Sequence, residues 1–247
     1  MKEELVEHLE AFESGHTGRD RNPEGFAATQ DVVMALSQER LARAVERLGL
    51  RDPRIASAFR TVDRADFVPH DLRAVAYADR PLGIPHEQTT SQPTLIAMMI
   101  DAAEVGPGDH VLEVGTGYGF QTALLARLAA RVVSVERWSK LAAEARDNLR
   151  RAGIVGVDVH AGDGFEGWPE GAPYDAVIVS AAAARLPDAL VRQLAEGGRL
   201  VVPLVEAAGD IVTLFRKRNG ALVRERVVTP ARFVPLIQGI PPHEAEA

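Results

Sequence analysis

The sequence predicts an α/β fold: a doubly wound, mostly parallel sheet of seven strands, with an N-terminal helical extension and a C-terminal antiparallel hairpin. Three observations carry this. From about residue 109, short β-rich runs alternate with helix-length ones. Those β-rich runs are nearly continuously apolar, as strands covered on both faces must be. The pattern then ends in two β-rich runs flanking Asn219-Gly220, a strong type I′ hairpin signal.

Taken in order, Leu5, Leu9 and Phe12 are spaced four and three apart and read as a short amphipathic helix with a glutamate-rich outer face. Ser14 to Gly25 mixes Gly, Pro, Asn, Ser and charge without periodicity and reads as a linker or mobile loop. From Ser37 the set Leu41, Ala44, Val45, Leu48 gives a helix stopped by Gly49, and Ile55, Phe59, Val62 give another after Pro53. Strands are expected at His110 to Gly115, Arg131 to Glu136, Val157 to Ala161, Asp175 to Ser180 and Arg199 to Leu204. Helices fill Gln121 to Leu128, Lys140 to Ala152 and Pro187 to Glu196, the last opening on proline. The hairpin strands are Ile211 to Arg216 and Ala221 to Val228.

Composition narrows the class. The 247 residues are 46% hydrophobic and 26% charged, which excludes disorder as the dominant state. The net charge of -7 sits at the ends: residues 1–30 hold three basic against seven acidic groups and residues 241–247 add -2, leaving 25 against 26 between them. No basic block marks a nucleic-acid binder. With no cysteine there are no disulfides, thiolate nucleophiles or Cys-containing zinc sites, and the seven histidines are scattered without metal-ligand spacing, so no metal is expected. No apolar run is long enough to cross a bilayer and the N-terminus is acidic, so a cytoplasmic location without a membrane partner is the expectation; a monomer is the expected state, though no sequence feature fixes it.

The chemistry begins at Val111-Leu112-Glu113-Val114-Gly115-Thr116-Gly117-Tyr118-Gly119, a strand running into a glycine loop and a helix. That arrangement lets backbone approach a nucleotide-like ligand. It is not the dinucleotide fingerprint, because Phe120 follows the third glycine without the required spacing, and it is not a P-loop, because no Gly-Lys-Ser/Thr follows. Glu136 ends the next strand, where a carboxylate accepts ribose hydroxyls, and Asp163 in Gly162-Asp163-Gly164 ends the third, where one accepts from an exocyclic amine. Asp175 opens the fourth strand. Each acid alone reads as a cap or loop carboxylate. Together, at the carboxyl ends of successive strands, they favour a nucleoside cofactor with little phosphate, of which S-adenosylmethionine is the common one.

The chain further carries Gln88-Thr89-Thr90-Ser91-Gln92-Pro93, Gln121-Thr122-Ala123, Ser134-Val135-Glu136-Arg137, Gly167-Trp168-Pro169, Ala172-Pro173-Tyr174-Asp175-Ala176, Gly197-Gly198-Arg199-Leu200 and Arg232-Phe233-Val234-Pro235-Leu236. With the glycine loop, in unbroken order from about 38 to 240, these resemble the protein-L-isoaspartate (D-aspartate) O-methyltransferases. The glycine loop is common to many methyltransferases; the Ser-Gln-Pro segment and the Arg-Phe-Val-Pro-Leu ending are specific. The resemblance implies the class I S-adenosylmethionine-dependent fold and methyl transfer to the free carboxylate of L-isoaspartyl, and less efficiently D-aspartyl, residues of damaged peptides and proteins. The ester then closes to a succinimide whose hydrolysis returns some aspartate. A carboxylate is already anionic at neutral pH, so this transfer needs no general base, metal or covalent nucleophile.

By the same resemblance Ser91 is the catalytic residue, hydrogen-bonding the substrate carboxylate. Glu113, Gly115, Thr116, Gly117, Glu136, Asp163 and Gly164 are cofactor positions, with bracing of the glycine loop as the other reading of Glu113. Thr89, Thr90, Gln92, Arg232, Phe233 and Val234 are substrate positions, Phe233 being core as well. The expected division is 1–37 as N-terminal helix and linker, 38–240 as the methyltransferase domain (38–95 a helical substrate side, 96–240 the cofactor core), and 241–247 as an acidic tail. Two departures stand out: Thr90 replaces the family's usual isoleucine, and Ile84-Pro85-His86-Glu87-Gln88 replaces a glycine-rich approach. They keep open a peptide-tailoring aspartyl O-methyltransferase that drives aspartimide formation. From other classes come a nicotinamide-dependent oxidoreductase, which Phe120 and the missing catalytic base oppose, and a non-enzymatic peptide-binding module, which cofactor binding would oppose.

Overall fold

The computed structural model describes the backbone of residues 23–241 and the side chains of residues 32–241. The amphipathic segment at Leu5, Leu9 and Phe12 and the tail beyond residue 241 lie outside them. The chain divides after Ser37, and residues from Gln38 on form one compact unit.

Helix α1 runs Pro23–Glu46. The sequence expectation started it at Ser37 and assigned Pro23 to Gly25 to a linker. The helix begins earlier because proline is well suited to a first helical turn and no Gly or Pro interrupts Phe26 to Leu48. A turn closed by Gly49 at φ 65° ends it. Helix α2, Arg54–Thr61, buries Ile55, Ala58 and Phe59. Two 3-10 turns, Arg64–Phe67 and His70–Val75, lead to a small hairpin of β1 (Leu82–Ile84) and β2 (Gln88–Thr90). Helix α3, Pro93–Ala103, follows directly.

The main sheet then builds up from β3 (His110–Val114), α4 (Phe120–Ala126), β4 (Arg131–Glu136), α5 (Ser139–Arg151), β5 (Val157–Ala161), β6 (Tyr174–Val179), α6 (Asp188–Gln193), β7 (Leu194–Glu206), β8 (Gly209–Arg218) and β9 (Ala221–Ala231). Its order is β5-β4-β3-β6-β7-β8-β9. The first five strands are parallel, and β8 runs antiparallel to both β7 and β9. Seven strands, doubly wound with an antiparallel end, is the predicted architecture. Asn219 and Gly220 take φ 52° and 77°, as the hairpin signal demands.

Alternation sorts the core. Val111, Val132, Ile178 and Val201 face helices α2 to α5, while Leu112, Val133, Val177 and Leu200 face α6 and the loops around Trp168. At the far edge β9 leaves Val223 and Val227 about half exposed.

A further boundary differs from expectation. The helix foreseen for Pro187 to Glu196 stops at Gln193, and β7 starts at Leu194 and not Arg199. Lys217 Nζ from β8 reaches the carbonyls of Val191 (2.9 Å) and Leu194 (2.6 Å), satisfying backbone acceptors at the helix end. Leu194 meanwhile pairs with Tyr174 and is fully buried. No described helix is long and apolar enough to cross a membrane.

Candidate active site

Open α/β sheets bind ligands beyond the carboxyl ends of their strands, where the strand order reverses. Here that point lies between β3 and its neighbours β4 and β6. A cavity of about 350 Å³ opens there, walled by the glycine loop, the β1–β2 hairpin, the end of β4 and residues 234–237.

The glycine loop earns its composition. Gly115, Gly117 and Gly119 all take positive φ, 96°, 57° and 94°. At Gly117 an added Cβ would meet Ile84 Cδ1 at 3.4 Å, in van der Waals contact, so the positive φ is what calls for glycine there. Phe120 does more than close off the dinucleotide reading: it is almost fully buried, edge-on to Phe59 (5.7 Å between centroids), and anchors α4 against the helical region.

Beneath the loop lies a buried polar chain. Thr116 Oγ1 is 2.6 Å from Ser134 Oγ, which donates to Glu113 at 2.6 Å. Glu113 also accepts from Gln121 Nε2 at 2.9 Å and, through a very short bond, from Thr122 Oγ1. It is completely buried, and that burial pushes its carboxyl up to about 7 against the pull of these donors. Glu113 does not line the cavity, so of its two sequence readings the geometry favours the brace.

Glu136 does line it. Its carboxylate accepts from Gly117 N at 2.8 Å and Trp138 N at 3.1 Å, and burial raises its pKa while these backbone donors oppose the rise. Two anchored oxygens facing a cavity leave lone pairs for a diol. Asp163 behaves otherwise. It accepts from Phe165 N at 2.8 Å and Gly239 N at 2.6 Å and is not in the cavity wall, whereas Gly164 beside it is. Arg137 Nε grips the other side of Gly239 through its carbonyl at 3.0 Å. The strap around Gly239 is therefore fastened from both sides, which the sequence did not signal.

Of the substrate-side residues, Thr89, Thr90, Ser91 and Val234 line the same cavity as the glycine loop. Gln92, Arg232 and Phe233 do not. Gln92 Nε2 turns to Asp79 (3.1 Å) and Thr94 (3.0 Å). Phe233 packs on the core while its backbone N–H is held by Asp210 at 2.9 Å. Gln92 and Arg232 instead border a second cavity, of about 290 Å³, whose wall includes Thr89 and Ser91.

Two further residues shape this side without any sequence motif. Arg64 is 1% exposed and donates to the carbonyls of Ala76 and Ala78 (both 2.9 Å), Arg80 (3.3 Å) and Ser91 (3.0 Å). Burial lowers its pKa to about 10, so it stays cationic at neutral pH. His86 stacks on Trp138 at 4.1 Å with planes 12° apart, tying the hairpin turn to the end of β4. His86 and Glu87 hold φ of 61° and 57° in that turn, the left-handed conformation glycine adopts freely. Among the described residues no group of three or more His, Asp or Glu is arranged to hold a metal ion.

Sheet order, glycine loop and the carboxylate after the second parallel strand define an α/β protein of the class I S-adenosylmethionine-dependent methyltransferase type. Within that class the chain belongs to the protein-L-isoaspartate(D-aspartate) O-methyltransferase family, which it matches over residues 36–240. It is 50% identical over 204 residues to a protein-L-isoaspartate O-methyltransferase of Anaeromyxobacter dehalogenans, covering 82% of this chain and 97% of that one. A relative of the same name from Methanoculleus marisnigri is 49% identical over 190 residues, covering 76% and 86%. A solved protein-L-isoaspartate O-methyltransferase superposes with a TM-score of 0.72 at 32% identity, over 80% of this chain and 65% of that one. A Plasmodium falciparum structure in complex with S-adenosyl-L-homocysteine gives the same TM-score at 24% identity, over 82% and 99%, and bears on the fold alone.

Proposed function

We propose that the protein transfers a methyl group from S-adenosylmethionine to the free carboxylate of L-isoaspartyl and D-aspartyl residues in damaged peptides and proteins, starting their repair through a succinimide. The observation that carries this reading is the convergence of Ser91 and the glycine loop on one cavity. Its volume suits a whole small molecule, for which roughly 300–1,000 Å³ is usual. Its donor set suits this cofactor, with a buried diol acceptor in Glu136 and positive-φ glycines that admit close backbone approach.

When bound, S-adenosylmethionine supplies an electrophilic methyl on a sulfonium sulfur; a carboxylate oxygen takes it as the carbon–sulfur bond breaks, leaving a methyl ester and a neutral thioether. No proton moves, so the residues act by position. Ser91 donates a hydrogen bond to the substrate carboxylate and orients the attacking oxygen. Gly115, Thr116, Gly117 and Gly164 form the cofactor's backbone bed, and Glu136 accepts the ribose hydroxyls. Glu113 and Asp163 brace that bed from behind. Thr89, Thr90 and Val234 line the substrate entrance, and the largely apolar wall of residues 234–237 limits water beside the reacting groups.

The catalytic domain in this reading is 38–240, with 1–37 and 241–247 as appendages. The enzyme works as a cytoplasmic monomer without a metal, nucleic acid or membrane partner; the absence of cysteine and of any basic block supports this. The test is methyl transfer to an isoaspartyl peptide against its aspartyl twin. Selective labelling of the isoaspartyl form is expected. Preferential labelling of the normal aspartyl form would replace repair by peptide tailoring, to which the Pro85-His86-Glu87 turn lends the only structural motive.

A further inference from the structure

The second cavity shares its wall with the first at Thr89 and Ser91. A peptide whose isoaspartyl carboxylate sits at Ser91 lies beside these residues, and the space on their other side is already shaped. At about 290 Å³ it is just under the roughly 300 Å³ at which whole-ligand pockets begin, and ample for one large side chain. Its lining is mixed: Leu95 and Met98 are its large apolar groups, and Gln92 and Arg232 its large polar ones. Leu95 and Met98, three apart on α3, stand half-buried there while Ile96, Ala97, Met99 and Ile100 go into the core. Pro81 and Ala231 add further apolar wall, and exposed Arg232 lies at the border.

Local contacts hold this cavity open. Asp79 fixes one side by accepting from Thr94 N (3.0 Å) and from Gln92 Nε2 (3.1 Å), so the glutamine amide is anchored away from Ser91. Asp210 fixes the other by holding Phe233 N, setting the course of the chain just after Arg232. Arg64 ties the Ser91 carbonyl to residues 76–80. A pre-formed recess that shares two residues with the reaction cavity lowers the ordering cost of whatever fills it.

We propose that this recess is a subsite for one apolar side chain directly adjacent to the isoaspartyl residue, making the enzyme selective for damaged sites flanked by a large hydrophobic neighbour. The proposal rests on the isoaspartyl reading above. Arg232 at the border disfavours a lysine there and tolerates an acid.

Two series of short isoaspartyl peptides test it, one varied at the preceding residue and one at the following, each with Gly, Leu, Phe, Lys and Glu. In one series Leu or Phe lowers KM about tenfold relative to Gly, equivalent to about 1.4 kcal/mol, with little change in kcat; the other series is flat. Met98→Trp, which fills the recess, collapses the Leu-to-Gly ratio toward one. Met98→Ala, which enlarges it, moves the preference from Leu toward Phe. A variant that merely folds less well lowers both peptides together and leaves the ratio intact, and a ratio intact in both variants overturns the subsite. Methylation with no flank preference in either series overturns it while leaving the isoaspartyl reading standing. Failure to methylate any of the peptides overturns both.

Discussion

The two walls of the reaction cavity are built on different principles. The cofactor wall is two short stretches of chain on neighbouring strands, β3 with its glycine loop and the end of β4, with backbone turns enforced by residue type. The substrate wall, residues 64–92 with 232–236, has little regular structure and is held by side chains reaching across it. Arg64 alone binds carbonyls at residues 76, 78, 80 and 91. One wall is specified locally and the other by a few long-range bonds, so single substitutions should damage them unequally.

Arg64 gives the largest separation. In Arg64→Met four carbonyls lose a charged donor, at least some of them in a dry interior, and each unsatisfied group costs about 1–3 kcal/mol. A loss of about 4 kcal/mol is expected, lowering Tm by roughly 8–16 °C at this chain length, as scanning calorimetry would register. Peptide KM should rise more than the cofactor Kd, because Ser91 loses its anchor and the glycine loop does not. Equal losses would erase the distinction between the walls.

On the cofactor wall the matching experiment is pH. Glu113 binds its proton more tightly folded, with a pKa of about 7, than at its ordinary 4.5. Its contribution is fully present below about pH 4.5 and is lost as pH rises through 7, by about 3 kcal/mol. Glu136, also raised, acts in the same sense. Glu113→Gln should therefore lose less Tm between pH 5 and 7.5 than the parent protein. Parallel slopes would mean that the network of Ser134, Thr122 and Gln121 holds a charge without penalty.

The same difference explains what could be read beforehand. Gly115 to Gly119, the strand end at Glu136, and Asn219-Gly220 are legible because the residue type answers a local demand. The start of α1 is not legible, because Pro23 and Gly25 suit a linker as well as proline suits a first helical turn. The end of α6 is not legible, because its terminator, Lys217, lies on β8. Arg64 leaves no pattern, since an arginine three residues before a phenylalanine reads as surface. The struts that hold Asp163 and Gln92 are not legible either: Asp163 accepts from Gly239 N, and the Gln92 amide donates to Asp79 and Thr94. In both cases the partner is distant or weakly patterned.

Ser91 sits where the walls meet, and its substitution should fall cleanly on one side of the comparison. Ser91→Ala removes a hydrogen bond to a charged group, worth about 1.5–3 kcal/mol. An order of 10- to 100-fold loss in kcat/KM for isoaspartyl peptide is expected, with cofactor Kd by calorimetry nearly unchanged. Equal losses in both would make Ser91 a structural residue joining the walls, with no part in orienting the substrate carboxylate.

The smallest effect is at Glu87, an exposed carboxylate on the wall of the cavity that receives an anionic substrate. Like charges in a largely aqueous setting repel weakly, and salt screens them over about 8–10 Å. Glu87→Gln should lower peptide KM about two- to threefold at low ionic strength, with the advantage fading by physiological salt and kcat constant. The substitution retains a side chain at a left-handed position, so the turn strain at φ 57° is common to both proteins and cancels. A KM gain that survives high salt would point to changed hydrogen bonding in the turn and not to charge. A rise in KM would mean that Glu87 binds the peptide backbone, which would place a specific contact on the wall that otherwise works through distant struts.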